Sequence, residues 1–176
     1  MDYDMYRIDK ANSEFASTLS QLWKDTFAQA YKDVHTPENI QTYCAKNFSI
    51  EEAISELKND KVICKIATMD DVAVGFYLLK EHDCPMPLDR SSTELKQIYI
   101  LSNHFGKGLG KTLYQDAINS IKRNGRSHVW LCVSDINYRA KAFYNKLDFK
   151  AVGTGPVFLV GSDRLTSTIM AKGIEY

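Results

Sequence analysis

The stretch that most limits this chain is IYILSNHFGKGLGKTLYQDAI, residues 98–118. A β-branched and aromatic run stops, glycines stand at 106, 108 and 110, and a helical pattern starts at once. Leu109, Leu113, Ala117, Ile118 and Ile121 share one face of that helix, and Gly125 marks its stop. A strand running through glycines into a helix is also a common anion site. The helix offers unpaired N–H groups and partial positive charge, and glycines let a phosphate approach the backbone.

Two familiar spacings can be tested directly. The nucleotide P-loop requires G-x-x-x-x-G-K-S/T; Gly110-Lys111-Thr112 supplies its end, but its first glycine would have to stand at Phe105. The dinucleotide fingerprint G-x-G-x-x-G would place its last glycine at Lys111 or at Leu113. Neither pattern fits, and a glycine turn with no ligand stays open on spacing alone.

The remaining sequence predicts a single domain over residues 1–176, of mixed α/β class, with a sheet of about seven strands. YRIDKA reads as a short strand, and residues 13–31 as an amphipathic helix with Phe15, Leu19, Leu22, Trp23, Phe27 and Ala30 at helical steps. Thr36-Pro37 opens a second helix, and Ser49 with Glu52 a third. KVICKIATM and VAVGFYLLKE form a hairpin turning at Asp70-Asp71. Residues 83–92 are a proline-bearing loop, followed by a strand from Glu94 to Leu101. SHVWLCV is a central strand, Asp135 or Asn137 caps a helix through YRAKAFYNKL, and two strands, around AVGTGPVFLV and RLTSTIMAKG, end the chain.

No apolar run approaches the roughly 20 residues of a membrane span. The N-terminus lacks a basic segment followed by an apolar one, so no signal peptide is expected. Cys44, Cys64, Cys84 and Cys132 form no C-x-x-C pair, and His35, His82, His104 and His128 are equally scattered. Reduced thiols in the cytoplasm, with no metal, are the expectation. The zero net charge hides an asymmetry: residues 1–60 hold eleven acidic against six basic side chains, whereas residues 101–176 hold five against eleven. The basic part contains the glycine loop, and the acidic part suits a cationic partner.

Two motifs at proper spacing resemble the Gcn5-related N-acetyltransferases (GNAT). Their signature R/Q-x-x-G-x-G/A is met by Phe105-Gly106-Lys107-Gly108-Leu109-Gly110 in all but its first residue. A second element, N-x-x-A-x-x-x-Y-x-x-x-G-F, aligns with Asn137, Ala140, Tyr144 and Phe149, with Asp148 in the glycine position. The resemblance implies a GNAT fold that binds acetyl-CoA without a metal. Its pyrophosphate would be gripped by main-chain N–H groups from Phe105, Gly106, Lys107, Gly108, Leu109, Gly110 and Lys111. The strand residues Ile98, Tyr99 and Ile100 would pair with the pantetheine arm, as an added strand does, and Asn137 would hydrogen-bond it. Phe105 departs from the family's Arg or Gln and implies a weaker pyrophosphate grip.

The reaction implied is attack by a neutral amine on the thioester. Tyr144 is the implied donor to the departing thiolate, with a packed aromatic as its alternative role. Glu94 resembles the catalytic base of histone-type members, with ordered water as the alternative. Tyr31, His35 and Tyr77 are candidates for the acceptor site. The stretch LWKDTFAQAYKDVHTPENIQTYCAKNFS, residues 22–49, and the ending IMAKGI resemble the bacterial branch that acetylates spermidine and spermine. The implied partner is therefore a small-molecule amine, with no nucleic acid and no membrane; a homodimer is left open. A protein N-terminal or lysine acetyltransferase and a non-catalytic acyl-CoA sensor stay open beside it.

Overall fold

A computed structural model describes residues 5–88 and 91–176, so Asp89 and Arg90 of the predicted loop and the first four residues lie outside it. Strand β1 (Arg7–Lys10) leads into helices α1 (Ala16–Tyr31), α2 (Pro37–Asn47) and α3 (Ile50–Leu57). Local chemistry sets their starts. Thr36 accepts from the Asn39 N–H ahead of Pro37, whose missing N–H costs nothing in a first turn, and Ser49 accepts from the Glu52 N–H.

Strands β2 (Val62–Met69) and β3 (Val72–Lys80) form the predicted hairpin. Its two turn residues, Asp70 and Asp71, both have positive φ, which matches the twist of a tight hairpin and is tolerated by aspartate. After β4 (Ser92–Ile100) come α4 (Leu109–Arg123), β5 (His128–Ser134), α5 (Tyr138–Lys146), β6 (Lys150–Thr154), β7 (Phe158–Val160), β8 (Asp163–Leu165) and β9 (Ser167–Gly173).

The two strands expected at the C-terminal end are four. Gly155-Pro156 breaks the first, because proline cannot donate to a ladder, and Gly161, with φ 60°, turns β7 back onto β8. Seven strands form the main sheet in the order β1-β2-β3-β4-β5-β9-β6, and β7 and β8 form a separate hairpin. Helices α1–α3 cover one face over Cys64, Ile66, Phe76 and Leu78. Helices α4 and α5 cover the other over Tyr77, Leu79, Val129, Leu131 and Val133. The pleat accounts for the division, since neighbouring residues of a strand point to opposite faces.

One pairing decides where function can sit. Among the described residues β4 and β5 are the one parallel pair of the main sheet, and they pair over Ser92–His128, Thr93–Val129 and Glu94–Trp130. Beyond Glu94 they splay, which opens a wedge through the sheet. On its other side β4 carries a bulge: Leu78 pairs with Gln97 and Leu79 with Leu95, leaving Lys96 extra. Bulges re-aim side chains, and this one turns Lys96 and Gln97 toward the α1 side.

Helix α5 ends in the motif that the sequence showed as Tyr144…Asp148-Phe149. Asp148 has φ 64°, its N–H donates to Asn145 O, and the Phe149 N–H donates to Tyr144 O. The Phe149 ring packs on Tyr144 at 5.5 Å between centroids. This is a Schellman cap with its apolar contact, so the glycine position of the motif is a left-handed one that aspartate fills here.

Of the two cap candidates for α5, the structure selects Asn137, which accepts from the Ala140 N–H at 3.1 Å. Asp135 instead accepts from the hydroxyls of Thr166 and Thr168, both at 2.6 Å, and from Lys141 at 3.1 Å. The two threonines first, then Lys141, hold its carboxyl down at about 2. A depressed folded value stabilises the fold above the unfolded pKa of about 4 and is lost as pH falls toward 2. Thermal midpoints should therefore drop more steeply between about pH 4 and 2 in the parent than in Asp135→Asn. Equal slopes would remove Asp135 as the acid-sensitive tie.

Candidate active site

The wedge holds two cavities that meet. The larger, about 490 Å³, is lined by Ile98, Tyr99 and Ile100 of β4, the loop residues 104–106 and 108–111, and Asn137, Arg139, Phe143 and Tyr144 of the α5 region. The smaller, about 200 Å³, lies on the α1 side between Trp23, Phe27, Tyr31, Tyr43, Phe48, Lys96, Gln97, Cys132, Ser134 and Phe158. Thr26 and Tyr99 line both, so a group in one reaches the other past these two side chains.

The loop end of the larger cavity is built for an anion. Gly106 and Gly108 have φ of 74° and 84°, a conformation that side-chain-bearing residues rarely adopt. Gly108 is the N-cap of α4 and makes no side-chain cap, so the first-turn N–H groups have no side-chain acceptor. Gly110 packs tightly: a Cβ there would lie 3.3 Å from Ile100 Cδ1 and 3.6 Å from the Phe143 ring. Lys111 lines the groove whereas Lys107 does not.

At the meeting point tyrosines cluster. Tyr144 is 8% exposed and lines the larger cavity. Burial first, then the neighbouring Tyr31, pushes its pKa above the usual phenol value, so the hydroxyl stays protonated. Tyr31 lines the smaller cavity and lies beside Ser134, Asn137 and Tyr99; burial raises its pKa also. The sequence proposed Tyr31 as an acceptor-site residue, and the fold brings it beside the Tyr144 region.

Three proposed residues fall elsewhere. Tyr77 is fully buried on the opposite face of the sheet, where its hydroxyl donates to Asp116 at 2.6 Å and lies 3.2 Å from Ser120 on α4. The pleat that turns Phe76 and Leu78 toward α1 turns Tyr77 away, so its proposed acceptor role is corrected to a structural one. His35 lines neither cavity; its Nδ1 lies 2.7 Å from Asp163 Oδ2 and ties the connection between α1 and α2 to β8. Glu94 also lines neither. Its side chain is 16% exposed, at the crotch where β4 and β5 part, with Oε2 3.3 Å from His82 Nδ1. The strand pairing that positions Glu94 ends at that residue, before the wedge opens, which leaves it outside the cavities as a direct base.

Other lining residues gave no signal in sequence. Gln97 accepts from Trp23 Nε1 at 2.6 Å, which joins α1 to β4 across the smaller cavity. Lys96 pairs with Glu56 at 2.6 Å, so its charge is compensated. Cys132, an exposed cysteine, lines the same cavity, and partial desolvation first, then Glu94 and Cys84, pushes its thiol up to about 11. A thiol so rarely ionised is a poor nucleophile. Among the described residues no cluster of three or more His, Cys, Asp or Glu converges to hold a metal ion.

A glycine loop opening a helix beside one cavity, splayed parallel strands that expose an extended backbone, and a second cavity opening on the same point form an arrangement that suits a transferase of the acyl-CoA type. The comparisons give the family. A sequence model of the "Acetyltransferase (GNAT) family" matches residues 18–149, and the chain belongs to that family. It is an acetyl-CoA-dependent N-acetyltransferase. The chain is 28% identical over 157 residues to an uncharacterized N-acetyltransferase of Mycobacterium tuberculosis, covering 89% of this chain and 96% of that one. It is 25% identical over 151 residues to the spermidine N(1)-acetyltransferase of Thermoplasma acidophilum, covering 84% and 89%. In structure it resembles the PaiA N-acetyltransferase of Thermoplasma acidophilum, solved in complex with coenzyme A, with a TM-score of 0.79 at 24% identity over 96% of this chain and 98% of that one.

Proposed function

We propose that the chain transfers the acetyl group of acetyl-CoA to a primary amine of a short polyamine of the spermidine type, by direct attack in a ternary complex. The observation that carries this reading is the aromatic cavity meeting the cofactor groove at Thr26 and Tyr99. The cofactor's pyrophosphate would sit on the N–H groups of the glycine loop, and its pantetheine arm along Ile98–Ile100. The thioester then falls near the tyrosine cluster. Faces of Trp23, Phe27, Tyr43, Phe48 and Phe158 suit an alkylammonium chain, since aromatic faces attract cations and their bodies accept methylenes. Glu94, close enough to raise the Cys132 thiol, puts negative charge near one wall of the smaller cavity, where a second ammonium of the acceptor would lie. The Thermoplasma relative adds support for the acceptor class.

Among the described residues no carboxylate lines either cavity, so water takes the proton from the incoming ammonium. The nucleophile is the resulting neutral amine, which attacks the thioester carbonyl. A main-chain N–H of β4 polarises that carbonyl, and Tyr144 donates to the coenzyme A thiolate as it leaves. The four cysteines are free, which suits a reducing compartment such as the cytoplasm.

Thiol release from acetyl-CoA, measured across spermidine, spermine, monoamines and a peptide N-terminus, tests the acceptor. The highest kcat/KM is expected for a polyamine, with added salt raising its KM more than that of a monoamine, because charge attraction is screened beyond about 8–10 Å. Monoamines or peptides outperforming spermidine at low salt would overturn the polyamine assignment.

A further inference from the structure

The cofactor groove carries a cation that the glycine loop does not explain. Arg139 stands in the first turn of α5, two residues after Asn137, whose side chain caps that helix. Its guanidinium carbon lies 3.5 Å from the centre of the Phe105 ring, and both residues line the larger cavity. Phe105 is 38% exposed, an apolar ring kept at the surface immediately before Gly106. Among the described residues Arg139 has no carboxylate within ion-pair distance. An exposed arginine gains little from lying flat on one ring unless its in-plane donors have something to bind. Stacking occupies the face of the guanidinium and leaves its five N–H groups, which point outward in the plane, unused.

We propose that Arg139, held flat by Phe105, donates to the pyrophosphate of coenzyme A and supplies the side-chain contact of the phosphate site. The proposal rests on the acetyl-CoA assignment. It also reverses the expectation that Phe105 weakens the grip: the ring is the platform for the cation. Planarity matters here, because a fork that is already oriented loses little freedom when it meets two phosphate oxygens.

Isothermal titration of coenzyme A and 3′-dephospho-CoA tests this on the parent, Arg139→Ala, Arg139→Gln, Phe105→Ala and the double variant Phe105→Ala/Arg139→Ala. Loss of the contact should weaken both ligands about tenfold or more in each Arg139 variant. The slope of log Kd against log salt should fall with it. Phe105→Ala should weaken binding several-fold in the parent and have little further effect once Arg139 is gone, since the two act as one unit. Unchanged affinity in both Arg139 variants overturns the proposal. A loss confined to coenzyme A with 3′-dephospho-CoA unaffected overturns it too, because the contact would then be to the 3′-phosphate. Additive losses overturn the platform role of Phe105. If the parent itself fails to bind coenzyme A, the cofactor assignment falls and this proposal falls with it.

Discussion

Gly108→Asp is expected to abolish binding of coenzyme A while the chain stays folded. Gly108 combines φ 84° with the N-cap position of α4. An aspartate there takes on left-handed strain of about 1–2 kcal/mol, and its carboxylate competes for the helix N–H groups that the pyrophosphate would use. Two negative charges about 4 Å apart near a protein surface repel by roughly 4 kcal/mol, which exceeds a hundredfold in affinity. Gly125→Asp is the matched control. Gly125 has φ 68° at the other end of the same helix and lines neither cavity. Strain alone should cost both variants stability, and only Gly108→Asp should lose the cofactor. Normal titration of coenzyme A into Gly108→Asp would show that the loop is not the phosphate site.

Tyr144→Phe is expected to lower kcat by about 10²–10⁴, the usual range for general acid catalysis, with the KM for acetyl-CoA nearly unchanged. The ring is packed against Phe143 and Phe149, so phenylalanine keeps the shape and removes only the hydroxyl. Because burial raises the Tyr144 pKa, its ionisation should produce no fall in the parent's kcat below about pH 10. Tyr31→Phe belongs beside it, since Tyr31 lies within electrostatic reach of Tyr144. A twofold effect or less in Tyr144→Phe, with a large one in Tyr31→Phe, would move the donor to α1.

Much of the fold was legible because local chemistry decides it. The glycine loop, the threonine and serine caps, the Asp70-Asp71 turn and the Tyr144-to-Phe149 helix end each have a short-range cause, and all stand where the sequence put them. The candidates that moved depend on pairings distant in sequence. Which face Tyr77 presents follows from the pleat and from α4 packing beneath it. Glu94 fell outside the cavities because β4 and β5 part directly after it, and no periodicity in either strand signals where a parallel pair stops. Arg139 was missed for a similar reason. Its meaning comes from Phe105, more than thirty residues away in the chain, and a lone helical arginine reads as a solvated charge. The four-strand ending could have been found from Gly155-Pro156, where the ladder has to break.

Direct transfer between two cavities that meet is the central claim, and the competing route runs through Cys132. That thiol lines the acceptor cavity and could in principle take the acetyl group first, but at about 11 its pKa leaves almost no thiolate at neutral pH. Initial rates measured over a grid of acetyl-CoA and amine concentrations separate the two routes. Double-reciprocal lines that intersect are predicted, because both substrates must be bound before the acetyl group moves; parallel lines, the mark of an acetylated enzyme, would contradict the account.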